Sequence, residues 1–238
     1  LTIADWDREE GTITIVYQEV GKSTYFLGNM EEGDSLYAVV GPMGHASEIE
    51  NFGTVACVGG GVGIAAIHPI ARALKEAGNE VISIIGARTK DLLIFEEEMK
   101  VASTTLLVAT DDGSYGIHGF VTAVLKSLID DGKKIARVVG VGPTMMMKFL
   151  ALTTKPYGLK TIVSLNPIMI DATGMCGGCR VSVGDETKFT CVDGPEFDAH
   201  LVDFDELLQR QRIYIPHEKC SLDQYVEEFQ AQQAQAGE

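Results

Sequence analysis

The chain has 238 residues, 45% of them apolar, with a formal net charge of −15. That length holds one large domain or two small ones with ample core. No apolar run approaches the ~20 residues that cross a bilayer, and the negative charge repels nucleic acid. Five cysteines, three of them grouped, do not make a disulfide framework, so a soluble protein of the reducing cytoplasm is expected, with no nucleic-acid or membrane partner.

The first residues, LTIADWD, read as the middle of a β-strand and do not open with Met. A fragment lacking upstream sequence and a protein without a secretory signal are expected. Residues 1–50 read as β-structure: TIADWD, TITIVYQEV and SLYAVVG are short alternating or β-rich runs broken by EEG, EEGD and GPMG turns. So few strands cannot close a barrel, which again points to part of a larger domain. From residue 54 strands alternate with helices. TVACVGG is a buried strand, GVGIAAIHPIARALKEAG a helix closing at Gly78, EVISIIGA a strand and DLLIFEEEMKVA a helix. TLLVAT, GIHGFVTAVLKSLIDDG, KIARVVGVG, TMMMKFLALTTK and KTIVSLN continue the alternation. Five apolar strands with intervening helices predict a parallel doubly wound sheet over 54–167. A polar tail follows. In LDQYVEEF the helical stripe Leu222, Tyr225, Val226 and Phe229 is expected to pack as an ordinary helix face, and the AQQAQAGE end to fray.

Three glycine loops follow the apolar strands. Gly59-Gly60-Gly61-Val62-Gly63 links the first to a helix, where glycines let a pyrophosphate approach the backbone and the helix N-terminus. It departs from G-x-G-x-x-G at Ile64, so a turn that only packs helix on strand stays open. The second strand runs into GARTK, where Arg88 and Lys90 taken alone favour a 2′-phosphate and hence NADP. Asp111-Asp112-Gly113-Ser114-Tyr115-Gly116 ends the third strand and Gly140-Val141-Gly142-Pro143 the fourth. All three loops fall at the carboxyl ends of the strands, where open parallel sheets bind ligands. The aspartates could equally be turn formers. Met145–Met147 read as helix-start packing around a ligand pocket. His45, His68, His118, His200 and His217 show no ligand spacing, and no Ser/His/Asp triad or paired-carboxylate site is visible. Cys57, in a strand, and Cys220, in the tail, read as structural.

Residues 168–200 carry the densest chemistry. Asp171, Cys176, Cys179 and Cys191 stand in the spacing Asp-x4-Cys-x2-Cys-x11-Cys. The plant-type [2Fe–2S] pattern is Cys-x4-Cys-x2-Cys with a distant Cys, and the segment fits it with Asp171 in the first place. A Cys-x2-Cys turn aims two thiolates at one point, and Gly177 and Gly178 leave the backbone N–H groups free to reach sulfur. RVSV-GD-ETKFT alternates around Gly184-Asp185 like a hairpin, which brings Cys179 and Cys191 together. A zinc knuckle with three thiolates and one further ligand accepts the same spacing.

A half-barrel, a GPMG turn, a GGGVG loop, a late Gly-Pro turn and a C-terminal cluster motif, in this order, resemble the ferredoxin–NADP reductase superfamily. Within it, VGGGVGIAAIHPIARALKEAG, ISIIGARTKDLLIFEEEM, TDDGSYGIHGFVT and DATGMCGGCRVSVGDETKFTCVDGPEFDAHLVDFDEL are similar to electron-transfer subunits with a C-terminal [2Fe–2S] domain. That group includes the subunits of dihydroorotate dehydrogenase and the small subunits of NADH-dependent reduced ferredoxin:NADP oxidoreductase, also named sulfide dehydrogenase subunit beta. An aspartate at Asp171 favours the second type over the first, where four cysteines are expected.

The resemblance implies a flavin- and iron–sulfur-containing oxidoreductase subunit that passes electrons between NAD(H), FAD and a [2Fe–2S] cluster. On that resemblance it would work inside a heterodimer with a larger flavin and iron–sulfur subunit, and reach ferredoxin or NADP indirectly. It implies three domains: 1–50 as the C-terminal part of an FAD-binding antiparallel barrel, 51–167 for NAD(H), and 168–238 as cluster module and tail. Leu1, Thr2, Ile3 and Ala4 match the end of the R-x-P-L-T-like flavin motif, whose Arg would precede Leu1. Gly21, Lys22, Ser23 and Thr24 match the FAD pyrophosphate loop. The NAD(H) pocket would comprise the 59–63 loop, Arg88, Asp111, Asp112 and Gly140–Pro143. Members with a GARTK-like loop use NAD(H), which outweighs the reading of Arg88 for NADP; Ala66 stands where Pro is expected. Asp171, Cys176, Cys179 and Cys191 would hold the cluster, and no side chain is assigned as a catalytic acid or base. The dihydroorotate system and a non-catalytic nucleotide- or zinc-binding adaptor are the alternatives.

Overall fold

The computed structural model describes residues 1–236, with side chains through residue 231. Strands β1 (Ile3–Asp7) and β2 (Thr12–Ile15) form an antiparallel hairpin, followed by a short helix α1 (Lys22–Gly28). The hairpin sits on α2 (Gly63–Glu76), which follows β3 (Thr54–Gly60). The buried His68 meets the Ala4 carbonyl through Nδ1 at 3.1 Å. One turn on, Arg72 pairs with Asp5 at 2.7 Å and lies over the Trp6 ring.

β4 (Glu80–Ala87), α3 (Glu96–Ala102), β5 (Thr105–Thr110), β6 (Ile117–His118), α4 (Val121–Asp130), β7 (Arg137–Val141), α5 (Thr144–Thr154) and β8 (Lys160–Ser164) continue the predicted alternation. A hairpin of β9 (Arg180–Val183) and β10 (Glu186–Phe189) leads through the short α6 (Thr190–Asp193) to β11 (Glu196–Asp198). Helices α7 (Phe204–Arg210) and α8 (Ile215–Ala236) end the described chain.

The main sheet has the order β11-β8-β7-β3-β4-β5-β6, parallel except for β11, which runs antiparallel to β8. Apolar strands buried on both faces divide the core in two. Val58, Ile84, Leu125, Leu150 and Phe197 belong to one side, and Cys57, Ile67, Leu74, Ile85 and Met99 to the other. Burial holds the Cys57 thiol protonated, pushing its pKa up to about 12, as fits a packing residue. Phe197 of β11 and Val181 of β9 enter the first core, so the C-terminal module is packed onto the sheet.

Five segments differ from the sequence reading. Residues 1–50, read as β-structure, include the helix α1, which the Thr24 hydroxyl starts by accepting from the Gly21 N–H. SLYAVVG (35–41) forms no strand, and Tyr37, Val39 and Val40 stand exposed; no neighbouring strand takes up its backbone hydrogen bonds. DLLIFEEEMKVA makes a single 3-10 turn ending at Leu92 and is α-helical only from Glu96, because Leu93, Ile94 and Phe95 turn onto the core and Phe95 adopts φ 57°. In GIHGFVTAVLKSLIDDG, Ile117 and His118 pair with β5, and the positive φ of Gly116 and Gly119 delays the helix to Val121. The tail is helical through Ala236, with Gly237 and Glu238 outside the described residues. Its Tyr225 and Phe229 pack edge-on against Tyr25 of α1, as an ordinary helix face does. Cys220 is exposed on α8 rather than packed.

Candidate functional site

Between β3 and β7 the strand order reverses, since β4 lies on the other side of β3. The loops after these two strands therefore diverge and leave a crevice at their carboxyl ends. The crevice exists because of glycine. A Cβ on Gly63 would lie 2.4 Å from the Val141 carbonyl oxygen, and one on Gly60 would lie 2.4 Å from Met146 Sδ. Helices α2 and α5 both start here, with the positive ends of their dipoles at the opening.

The crevice widens into a cleft of about 1210 Å³, more than one compact ligand fills. Of the residues read as nucleotide-binding, Gly60, Gly61, Val62, Gly63, Arg88, Asp111, Gly142 and Pro143 line it. Gly59 and Gly140 lie within the strands, where each lets a neighbouring side chain (Ile67, Leu150) come close. Asp112 is a turn former: its Oδ1 accepts from the Ser114 N–H at 2.9 Å and the Ser114 hydroxyl at 2.6 Å. The Ser114 hydroxyl bond holds that carboxyl below the usual range. Lys90 is drawn over the Tyr115 ring, which leaves Arg88 as the GARTK cation on the cleft.

From the N-terminal side, Leu1, Thr2 and Thr24 reach the lining. Ile3 and Ala4 instead join β1, while Gly21, Lys22 and Ser23 form the start of α1 behind Thr24. The Thr24 hydroxyl oxygen accepts from the N–H groups of Val20 and Gly21, both at 3.1 Å, and fixes that turn. Tyr17, Gln18, Phe120, Phe149 and Asn166 also line the cleft and were not singled out from the sequence. Met145 and Met146 line it as expected, whereas Met147 is core.

In the C-terminal module the four predicted ligands lie in two pairs. Asp171 Oδ1 accepts from Thr173 N–H at 2.9 Å and Oδ2 from Cys176 N–H at 3.0 Å. The Thr173 N–H in particular holds this carboxyl below its ordinary range, so it is an anion near neutral pH. Cys179 and Cys191 meet at the open end of the β9–β10 hairpin, where Cys191 N–H donates to Cys179 Sγ at 3.4 Å. Burial, with Cys179 close by, pushes the Cys191 thiol up. Gly178 N–H donates to Cys176 Sγ at 3.3 Å, and Gly177 holds the turn at φ 65°. Cys176 is exposed and the other two cysteines are buried.

Among the described residues no three His, Cys, Asp or Glu side chains converge on a point that could hold one metal ion. A mononuclear zinc knuckle requires such a point. Two separate pairs, with backbone N–H groups already aimed at sulfur, fit a group with two metal atoms and anionic ligands.

The cleft and the cluster loop share a support. Arg210, ending α7, donates to the Gly178 carbonyl at 3.1 Å. The next residue, Gln211, donates through Nε2 to the Asn166 carbonyl at 2.8 Å. The Thr144 hydroxyl lies 2.9 Å from Gln211 Oε1 and 3.0 Å from Asn166 Oδ1, sharing its proton between them. Nothing in the sequence pairs Arg210 and Gln211 with residues 32 or more positions away. Asn166, in the turn after the last parallel strand, could have been flagged by position.

Comparison with known proteins settles the relationship. Over 226 residues the chain is 52% identical to the dihydroorotate dehydrogenase B electron transfer subunit homolog of Thermotoga maritima, covering 95% of this chain and 79% of that one. The chain belongs to the dihydroorotate dehydrogenase B electron transfer subunit family. The Geobacillus thermodenitrificans member is 34% identical over 205 residues, 84% of this chain and 77% of its own. Residues 166–203 match the iron–sulfur cluster binding domain of dihydroorotate dehydrogenase B, a span holding all four predicted ligands. A chain of the NADH-dependent reduced ferredoxin-NADP oxidoreductase structure, described in terms of flavin-based electron bifurcation, superposes with a TM-score of 0.89 at 50% identity. It covers 94% of this chain and 81% of that one. An Amycolatopsis cytochrome P450 reductase at 20% identity and a TM-score of 0.50 shares the fold alone. As a member of this family the chain is an electron-transfer subunit of an oxidoreductase. No helix among the described residues is long and apolar enough to cross a membrane.

Proposed function

We propose that this subunit passes electrons between NAD(H), FAD and a [2Fe–2S] cluster within a complex of the ferredoxin:NADP oxidoreductase type, beside a larger flavin and iron–sulfur subunit. The single observation that carries the reading is one support spanning two sites: α7 holds both the cluster loop and the floor of a cleft large enough for two cofactors. When bound, the nicotinamide supplies hydride, the flavin exchanges two electrons for one, and the cluster carries single electrons.

The chain's own residues bind and orient. The 60–63 and 142–143 loops let a pyrophosphate reach the N-termini of α2 and α5. Leu1, Thr2 and Thr24, on the cleft lining, would meet the flavin, with the Gly21–Ser23 turn supporting Thr24 from behind. Arg88 and Asp111 are the charged side chains lining the cleft among the described residues. Catalysis on this reading is positioning of two rings and exclusion of water, with no side-chain proton transfer. Asp171, Cys176, Cys179 and Cys191 would ligate the cluster, in the pairs Asp171–Cys176 and Cys179–Cys191.

A second reading, electron transfer for dihydroorotate oxidation, is favoured by the names of the two curated relatives. Asp171 and the 50% identity to the ferredoxin-NADP oxidoreductase chain favour the first. The test is elemental analysis of the full chain purified anaerobically. Iron and acid-labile sulfide in equal amounts, with bound flavin, are expected; zinc without iron overturns the proposal and makes the module a knuckle.

A further inference from the structure

We propose that the Thr190 hydroxyl donates a hydrogen bond to the iron–sulfur cluster and thereby raises its reduction potential, an inference that rests on the cluster reading above. Thr190 is 1% exposed, and its Oγ1 is a buried side-chain oxygen without a hydrogen-bond partner. Burying an unpartnered hydroxyl costs the free energy of its lost hydration. At a position whose backbone joins two of the predicted ligands, Cys179 and Cys191, that cost calls for a partner outside the protein's own atoms.

The hairpin register says where the hydroxyl lies. Lys188 faces Val181 and Phe189 faces Arg180, so the next rung sets Thr190 opposite Cys179. The Thr190 N–H indeed donates to the Cys179 carbonyl at 3.2 Å. Thr190 opens α6 and is held by this backbone bond to Cys179, which is 3% exposed, while its own chain neighbour is Cys191. Cys191, the next residue, donates its N–H to Cys179 Sγ at 3.4 Å. A proton donor is thus built into the buried pair, alongside the backbone donors at Gly178 and Cys191.

The chemistry is a shift of equilibrium, with no bond made or broken. Reduction places one electron, delivered by the reduced flavin, on the cluster, and the added negative charge spreads over its sulfurs. A hydroxyl aimed at sulfur stabilises the reduced form more than the oxidised one. A Thr190→Val substitution keeps the shape and removes the proton.

The experiment is an EPR-monitored redox titration of the full chain, wild type against Thr190→Val and Thr190→Ser, each checked for iron and sulfide content. Thr190→Val is expected to move the oxidised-to-reduced ratio at fixed potential about tenfold toward oxidised, about 59 mV for one electron. Thr190→Ser, which keeps a donor, should stay near wild type. If Thr190→Val does not load a cluster, Thr190→Ala is read in the same titration. An unchanged midpoint in a loaded Val or Ala variant overturns the proposal; such a variant would instead melt higher, as loss of an orphan hydroxyl predicts. A wild-type chain without a reducible iron–sulfur signal defeats the cluster reading itself, separately from the role of Thr190.

Discussion

Asp171 is the residue on which two accounts of the module part. Its carboxylate accepts from Thr173 and Cys176 N–H groups, which is what a loop cap does, and it is held ionised, which is what a ligand needs. Substitution separates the roles. An aspartate oxygen is a harder donor than a thiolate. Asp171→Cys is therefore expected to keep iron content and change the midpoint potential by tens of millivolts or more, on the order of the range ligand exchange produces in such centres. Asp171→Asn keeps one capping oxygen but loses the anion, and should lower iron content severalfold. Full loading and an unshifted potential in both variants would show a cap and no ligand. At this scale the sequence was legible where spacing encodes geometry: the Cys-Gly-Gly-Cys turn and the Gly184-Asp185 hairpin formed as expected. It was silent on Thr190, Arg210 and Gln211, whose roles depend on which neighbours the fold supplies.

Among elements, the central parallel strands β3, β4 and β7 were readable because each is an apolar run buried on both faces, a pattern that needs no partner to be recognised. SLYAVVG shows the converse. Its β-rich composition is real, but a strand exists only with a partner, and composition does not name one. The contact between the β3–α2 and β7–α5 turns is equally specific. Gly63→Ala adds helix propensity worth about 1 kcal/mol but drives a Cβ to 2.4 Å from the Val141 carbonyl. Backbone cannot swing aside as a side chain can, so overpacking of about 1–3 kcal/mol should win. Calorimetry should show a net loss of several degrees in Tm, with weakened NADH binding; an unchanged Tm and affinity would mean the two turns are not in contact.

A second element-scale prediction concerns β11. The Ser47 hydroxyl donates to Glu196 Oε1, tying the segment before β3 to the sheet. Burial raises the Glu196 pKa above its ordinary 4.5, with Ser47 and Arg137 opposing the rise. A raised carboxyl pKa adds stability that is complete below about pH 4.5 and is lost as pH climbs through the folded value. Glu196→Gln, which can still accept from Ser47, should thus melt above wild type at pH 7–8, with the difference closing as pH falls toward 4.5. A constant difference across that range would remove the ionisation from the account.

Across the whole molecule, the hairpin on α2, the reversed strand order and the C-terminal module packed by β11 place a wide cleft and a cysteine loop on one continuous support. The net charge of −15 gives such a subunit a field that suits a basic face on a partner. The central claim is that electrons entering at the cleft reach the module through this chain. The most direct measurement is to add NADH anaerobically to the full chain and follow visible absorption and EPR together. The account predicts that flavin absorbance bleaches and a single [2Fe–2S] signal grows in the same sample. Bleaching without any iron–sulfur signal, in a chain shown to contain the cluster, would contradict it.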